Sequence, residues 1–246
     1  MAADSAPADG VIKFRIAGRT ELPELAGPLW AELDLWRARL WQLGLIGHNA
    51  ELNVGFGNIS RRLDHSSFVI SGTQTGHKPS LGGQDYVIVE QCDFAANSVF
   101  CRGPCLPSSE ALSHGALYRQ PAFNAVVHVH NRRLWDYLRA KCSAAPAAPA
   151  AGNAATVDQA AVGADRCSSV RCAATPEPIP YGSRQLYEAL GELALAGLDP
   201  VSLPQRGLTP QSLLVVTLGH EDGVFAAAAS LAEACQLILD INKELV

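Results

Sequence analysis

The chain of 246 residues contains no run of Lys or Arg, and its formal net charge is −5. Nucleic acids and anionic membranes need a clustered positive field, so neither is expected as a partner. Its apolar runs are all too short to cross a bilayer. The first ten residues, MAADSAPADG, lack the basic start and apolar stretch of a secretory signal. A cytoplasmic location is therefore predicted.

A disulfide framework is also not expected. The seven cysteines are an odd count and are scattered along a long chain, whereas disulfide scaffolds are short and cysteine-dense. Cys101 lies close to Cys105, and Cys167 lies close to Cys172, but neither pair is matched by a second pair at zinc-finger spacing. Reduced thiols are the expectation for all seven.

The composition is that of a folded chain, because 48% of the residues are hydrophobic and a sizeable core can be buried. Leucines at helical spacing predict a helix over 29–43, and valine-rich runs predict buried strands at 122–130 and 212–220. Segments of strand and helix character alternate along the chain. This alternation predicts the α/β class, with one mixed sheet covered on both faces.

Two segments differ in composition from the rest of the predicted single domain, 1–246. Residues 1–10 are small and polar, which is typical of a flexible tail. Residues 143–176 are mostly Ala, Pro, Gly and small polar residues without periodicity. This pattern predicts a low-complexity insertion loop rather than a domain boundary.

Histidines on one face of a predicted strand are the main indication of chemistry. His128 and His130 alternate in AVVHVHN, so their side chains point to the same face, about 6.5–7 Å apart along the strand. Burying both is costly unless they share a partner, and a divalent ion is such a partner. His220 follows another apolar run, and α/β sheets build ligand sites at strand ends. Alternatively, these histidines are structural, as we expect for His114.

Polar and glycine-rich turns form candidate anion sites. A helix predicted to begin near Ser109 offers free backbone N–H groups and the hydroxyls of Ser108 and Ser109. Glycines in Gly55–Asn58 and Ser71–Gly72 would let backbone amides approach a phosphate. Ordinary turns are the simpler alternative for these loops. The simpler role for Glu110 is a first-turn carboxylate stabilised by the helix dipole.

In this order, GNIS at 57–60, ISG at 70–72, PSSE at 107–110, HVH at 128–130 and a later histidine resemble the class II aldolase/adducin family. The family includes fuculose-phosphate aldolase, ribulose-phosphate 4-epimerase and methylthioribulose-phosphate dehydratase. The resemblance spans residues 23–243. It implies a single three-layer α/β/α domain with a central mixed, mainly antiparallel sheet. It also implies a homotetramer with active sites between subunits.

The resemblance further implies that His128, His130 and His220 bind Zn²⁺, or another divalent cation such as Mn²⁺ or Co²⁺. Glu110 would be the acid/base catalyst and, in the resting site, a metal ligand. A sugar phosphate would be the substrate, its phosphate held by Asn58, Ser71, Gly72, Ser108 and Ser109. The implied reaction is aldolase-type cleavage or formation of a C–C bond in a phosphorylated ketose, such as fuculose or rhamnulose phosphate, through a metal-bound enediolate.

Other activities remain open at the same site. The glutamate after Pro-Ser-Ser favours an aldolase over a pentulose-phosphate 4-epimerase, and a methylthioribulose-phosphate dehydratase is a further alternative. A non-catalytic adducin-like scaffold is disfavoured because the histidines are retained. The sequence departs from the family at 220–223, His-Glu-Asp-Gly, where two extra acids, Glu221 and Asp222, are expected to crowd the third ligand.

Overall fold

The computed structural model describes residues 11–144, 168–176, 178–197, 200–203, 211–220 and 222–245. The predicted tail at 1–10 lies outside the described residues. The strands are β1 (Arg15–Thr20), β2 (Gly47–Asn49), β3 (Val54–Phe56), β4 (Asn58–Arg62), β5 (Phe68–Ser71), β6 (Tyr86–Asp93), β7 (Ser98–Arg102), β8 (Ala125–His130), β9 (Ser168–Ala174), β10 (Pro200–Leu203), β11 (Leu213–Val216) and β12 (Gly223–Ala228). The helices are α1 (Gly27–Gln42), α2 (Ala111–Leu117), α3 (Arg132–Ala144), α4 (Arg184–Leu195) and α5 (Leu231–Glu244).

Ten strands form one sheet, in the order β1-β7-β6-β5-β4-β8-β12-β11-β9-β10, while β2 and β3 form a separate hairpin. Neighbours are antiparallel except for the pairs β1/β7 and β11/β9. Helices α1, α3 and α5 cover one face of the sheet, and α2 and α4 cover the other. The expected three-layer α/β/α domain with a mixed, mainly antiparallel sheet is confirmed.

Strand β8 shows why the central sequence is so apolar. Val127 and Val129 enter the core beneath α1, α3 and α5, whereas Val126 enters the core beneath α2 and α4. A strand covered on both faces reads as a continuous apolar run rather than as an alternation. His128 follows Val126 on its face of the sheet, so a polar ring lies at the edge of that second core.

Part of the predicted insertion loop at 143–176 is strand β9, which corrects that prediction. Residues 168–174 pair with β11 in parallel and with β10 in antiparallel orientation, and Val170 is fully buried. The segment SSVRCAA was assigned to the loop because it directly follows the Ala- and Pro-rich sequence and is itself rich in small residues. Residues 145–167 lie outside the described residues.

The expectation that all cysteines are reduced is also wrong. Cys142, near the end of α3, forms a disulfide with Cys172 of β9, and their Cα atoms are 5.7 Å apart. The disulfide joins two residues that flank the Ala- and Pro-rich segment. Separately, no helix in the described part of the chain is long and apolar enough to span a membrane.

Candidate active site

Three histidines from two parts of the sheet converge at one point. His128 and His130 point to the same face of β8, as their spacing predicted, and His220 lies in the turn between β11 and β12. One ring nitrogen from each lies within 4.8 Å of the others. The Nε2 atoms of His128 and His130 are 3.1 Å apart. Two nitrogens bound tetrahedrally to one zinc ion at about 2.0–2.1 Å are separated by about 3.3–3.4 Å, so the spacing fits a shared ion.

The protonation state of His128 also suits a metal ligand. Its Nδ1 lies 3.2 Å from the carbonyl oxygen of Val224 and donates to it, which leaves the lone pair of Nε2 directed at the site. Burial, followed by the neighbouring charges of His130 and His220, lowers the pKa of His128 well below its ordinary value of 6.5. Neutral imidazole is the form that binds metal ions. The residues present therefore fit a divalent ion.

A tight turn positions His220. The hydroxyl of Thr217 lies 3.1 Å from the carbonyl oxygen of His220 and 2.9 Å from that of Gly223. The amide of Gly223 donates to the carbonyl of His220 at 3.2 Å. A Cβ atom at position 223 would lie 2.5 Å from the Thr217 hydroxyl oxygen and 3.1 Å from Nδ1 of His220. Only glycine fits there without displacing the third histidine.

The acids that follow His220 do not both crowd the site. The carboxylate of Asp222 lies 3.7 Å from Nη1 of Arg132, and Asp222 is outside the residues that line the pocket. Its backbone is left-handed, with φ of 62°. Glu221 lies outside the described residues. For Asp222, the expected crowding is therefore wrong because its side chain forms an ion pair with α3.

The ring of His128 is fixed by its neighbours across the sheet. In the register of the sheet, it is opposite Phe225 on one side and Asn58 on the other. Phe225 stacks on it with ring centroids 4.0 Å apart and an interplanar angle of 15°. Behind Phe225, the buried His114 forms a 2.7 Å hydrogen bond with the hydroxyl of Ser60, which agrees with the structural role expected for it.

Polar groups form the other side of the same pocket. The enclosed cavity is small, about 30 Å³. It is lined by Gly55, Phe56, Gly57, Asn58, Gly72, Thr73, Gln74, Thr75, Gly76, Ser108, Ser109, Glu110, His128, His130, Tyr181 and His220. The structure thus brings together eight of the nine site residues that the sequence singled out.

Glu110 is the N-cap residue, directly before α2, and it is only 1% exposed. One carboxylate oxygen accepts a hydrogen bond from the hydroxyl of Ser113, and its amide donates to the Ser108 hydroxyl at 3.3 Å. Among the described residues, the group with metal-binding geometry consists of the three histidines without Glu110. Its roles as acid/base catalyst and as metal ligand stay predictions.

Ser71 is the predicted site residue that does not line the pocket. Its hydroxyl accepts a hydrogen bond from the amide of Ile59 at 3.3 Å, and its carbonyl accepts one from the amide of Ser108 at 3.2 Å. Ser71 therefore ties β4 and the Ser108 loop to β5. Its role in binding phosphate stays a prediction.

Sequence reasoning missed two parts of the pocket. Residues 73–76 continue the loop after Gly72, and their sequence TQTG carried the turn-forming glycine that could have extended the prediction. Tyr181 lies 5.1 Å from the ring of His220, between centroids. The tyrosine comes from the segment between β9 and α4, and its only sequence signal was its position between Pro180 and Gly182.

Comparison with known families agrees with this geometry. The profile of the Class II Aldolase and Adducin N-terminal domain matches residues 39–243, which is most of the chain. The chain belongs to the class II aldolase and adducin family. Class II aldolases use a divalent metal, and the three histidines of this family member could bind one. By sequence, no curated protein matches this family member significantly.

Solved structures share its fold at low sequence identity. YgbL from Klebsiella pneumoniae, described as a candidate aldolase/epimerase/decarboxylase, is 19% identical, with a TM-score of 0.52 over 89% of this chain and 84% of that one. L-fuculose-1-phosphate aldolase from Thermus thermophilus is 18% identical, with a TM-score of 0.51 over 89% and 91%. A sugar-phosphate aldolase from Thermotoga maritima is 17% identical, with a TM-score of 0.52 over 86% and 89%.

Proposed function

We propose that this protein is a metal-dependent, class II aldolase-type lyase that cleaves or forms a C–C bond in a phosphorylated ketose resembling fuculose or rhamnulose phosphate. The observation that carries the proposal is the convergence of His128, His130 and His220 with the buried Glu110 in one polar pocket. Family members act on sugar phosphates, and two of the structural relatives are sugar-phosphate aldolases.

A divalent ion on the three histidines supplies a Lewis acid that stabilises negative charge on the ketose oxygens. Glu110 moves the proton. In the condensation direction its carboxylate removes one proton from C3 of dihydroxyacetone phosphate, C3 of the enediolate forms the new bond to the aldehyde carbon, and the aldehyde oxygen takes up that proton as a hydroxyl group. In the cleavage direction this hydroxyl loses its proton as the C–C bond breaks, and the carboxyl group of Glu110 returns a proton to C3. Its burial keeps bulk water from competing for this proton.

The remaining polar residues hold the phosphate. The hydroxyls of Ser108 and Ser109, the amide group of Asn58 and the backbone at Gly72 lie around the same pocket. Hydroxyl and N–H donors suit phosphate oxygens. The amide of Gly72 itself donates to the carbonyl oxygen of Asp85 at 2.7 Å, so Gly72 shapes the wall of the pocket. Zinc as the resident metal, the homotetramer and the cytoplasmic location stay predictions, to be checked by metal analysis, sedimentation and fractionation.

Proton exchange from dihydroxyacetone phosphate in D₂O tests the reaction. With zinc-loaded protein, NMR should show one C3 proton replaced by deuterium. Glu110→Gln should slow the exchange by about 10²–10⁴-fold, the usual contribution of a general acid/base. Glu51→Gln, which changes an exposed carboxylate, is the control and should exchange at the wild-type rate.

Other outcomes separate the related activities. A stoichiometric ion without exchange would rule out this donor and direct the search to pentulose-phosphate epimerisation or methylthioribulose-phosphate dehydration. Interconversion of ketose-phosphate stereoisomers without cleavage would replace the aldolase by an epimerase. A wild-type protein that binds no divalent ion would leave the non-catalytic scaffold.

A further inference from the structure

One arginine in α1 occupies a position where the helix otherwise presents leucine. Leu33, Arg37 and Leu40 form the buried stripe of α1, and Arg37 is only 1% exposed. Residues at this spacing face the core. Burial of a guanidinium group is costly unless hydrogen bonds and opposite charges offset the loss of hydration. Its partners therefore indicate why the position is not apolar.

Arg37 binds a loop carbonyl rather than a carboxylate. Its Nη2 donates to the carbonyl oxygen of Thr75 at 2.9 Å, and in the described part of the chain it forms no ion pair within 4.0 Å. Asp34 and Asp85 act on it at longer range, yet burial dominates and lowers its pKa. The positively charged guanidinium group of Arg37 therefore lies beneath the loop, although its burial costs hydration free energy.

A second donor lies one helical turn further along α1. Nε1 of Trp41 donates to the carbonyl oxygen of Gly76 at 3.0 Å. Residues four apart share one face of a helix, so Arg37 and Trp41 hydrogen-bond to two consecutive carbonyl groups of the same loop. Because a peptide unit is planar, fixing a carbonyl also fixes the N–H group on its opposite side. The amides of residues 76 and 77 are oriented in this way.

The loop to which Arg37 and Trp41 hydrogen-bond lines the side of the pocket that is proposed to bind phosphate. Gly72–Gly76 lie there with Ser108 and Ser109. A Cβ atom at position 55 would lie 3.4 Å from the amide nitrogen of Gly76, and one at position 76 would lie 2.0 Å from the carbonyl oxygen of Gly47. Glycine at 55 and 76 lets the β2/β3 hairpin pack directly against this loop, so the hairpin also fixes the backbone of Gly76.

We propose that Arg37 and Trp41 are positioning residues for the loop Gly72–Gly76, which binds the phosphate group of the substrate. They hold the loop backbone in its anion-binding orientation, and the buried charge of Arg37 adds to the attraction for a phosphate dianion. This inference rests on the proposed function, because it assigns the anion held at that same pocket. Neither residue contacts the substrate.

Trp41→Phe is the sharpest test because it removes one N–H group and keeps an aromatic ring. The probe is inorganic phosphate, titrated calorimetrically into the protein, with zinc content measured in parallel. Loss of one net hydrogen bond should raise the dissociation constant for phosphate by about three- to tenfold. Trp30→Phe is the matched control, since Trp30 on the same helix donates to the Leu25 carbonyl at 3.1 Å, away from the loop. It should leave phosphate affinity unchanged.

Two variants at Arg37 separate the hydrogen bond from the charge. Arg37→Met removes both, and Arg37→Gln retains a donor without the charge. Phosphate affinity should fall furthest in Arg37→Met and partly recover in Arg37→Gln. In the exchange assay, the half-saturating concentration of dihydroxyacetone phosphate should rise in both, while the rate at saturation changes by less than about twofold. A merely structural role would lower active protein and saturating rate instead.

The outcomes are distinct. Weaker phosphate binding in Trp41→Phe with normal binding in Trp30→Phe supports the inference. Wild-type affinity in folded Trp41→Phe and Arg37→Gln overturns it and leaves the proposed function intact. A wild-type protein with no affinity for phosphate overturns both this inference and the sugar-phosphate part of the proposed function. Should Arg37→Met fail to fold, the two milder variants still decide.

Discussion

The two walls of the pocket are built in different ways. The metal wall consists of His128, His130 and His220, and two of its members lie on the buried strand β8 with the third in a tight turn. The anion wall, proposed to bind phosphate, consists of Gly72–Gly76, Ser108 and Ser109, which lie outside the sheet strands, and of Asn58 at the start of β4. Side chains on a strand are aimed by the sheet itself, whereas a loop takes its shape from elements that pack behind it.

This difference teaches where each wall is vulnerable. The metal wall depends on β8 and β12, where Phe225 and Gly223 lie beside the histidines and leave them little freedom. The anion wall depends on α1, whose Arg37 bonds to the loop from outside the pocket. Changes in one wall should therefore affect one ligand and spare the other.

The largest expected effect is on metal binding. His128→Ala should weaken zinc affinity by more than about 100-fold, because loss of a residue that only orients a ligand already costs about 10–100-fold. Zinc competition with a chelating dye measures it. Affinity for phosphate should stay within about twofold of wild type if the walls are independent. His65→Ala removes an exposed histidine and is the control; equal zinc affinity in both variants would contradict the assignment.

Removing the disulfide tests whether the metal-binding geometry of the three histidines depends on β9 as well as on β8 and β12. Replacing Cys142 and Cys172 together by Ser should lower the free energy of unfolding by about 2–4 kcal/mol, because the bridge closes a long loop in the unfolded chain. Urea denaturation measures this change. Zinc affinity of the folded protein should be unchanged, since β9 contributes no ligand. A parallel loss of zinc affinity would show that β9 supports His220 through β11.

Gly76→Ala should disturb the anion wall alone. The new methyl group would meet the carbonyl oxygen of Gly47 at 2.0 Å, so the loop must shift, at a cost of about 1–3 kcal/mol in the free energy of unfolding. Phosphate binding should weaken, and zinc binding should remain. Gly27→Ala is the control, because a Cβ there meets nothing within 4 Å. Wild-type phosphate affinity in Gly76→Ala would break the distinction between the walls.

The remaining prediction concerns the pH dependence of stability and His114, which lies behind Phe225. Burial lowers the pKa of His114 to about 3. The unfolded chain takes up this proton near pH 6.5 and the folded chain does not, so stability is complete above pH 6.5 and falls as the pH decreases toward 3. The slope is about 1.4 kcal/mol per pH unit for one proton.

The variant His114→Gln should remove that contribution. Its free energy of unfolding, measured with urea between about pH 4 and pH 6, should depend less steeply on pH by about 1.4 kcal/mol per unit. His128, whose pKa is lowered in the same direction, keeps part of the slope. An unchanged slope in His114→Gln would mean that His114 is protonated in the folded protein.

The metal wall could be predicted from the sequence to a large extent. The spacing of His128 and His130 sets a shared face as soon as the segment is a strand, and the apolar run predicts that strand. The ordered motifs added Glu110, Ser108 and Ser109 through the family resemblance. Strand β9 was missed because its sequence, SSVRCAA, consists mostly of small residues and so resembles the Ala- and Pro-rich segment before it.

Alternation and burial of apolar residues are local properties, so the sequence by itself determined the α/β class, strand β8 and the pairing of two histidines on one face. The sequence singled out His220 as a candidate third ligand, but the actual contacts between distant segments were decided by the tertiary structure. It brought His220 to the other two histidines, joined Cys142 to Cys172, and set Arg37 beneath a loop almost forty residues away. Such contacts depend on how whole helices and strands pack, and this packing produces no periodic pattern in the sequence.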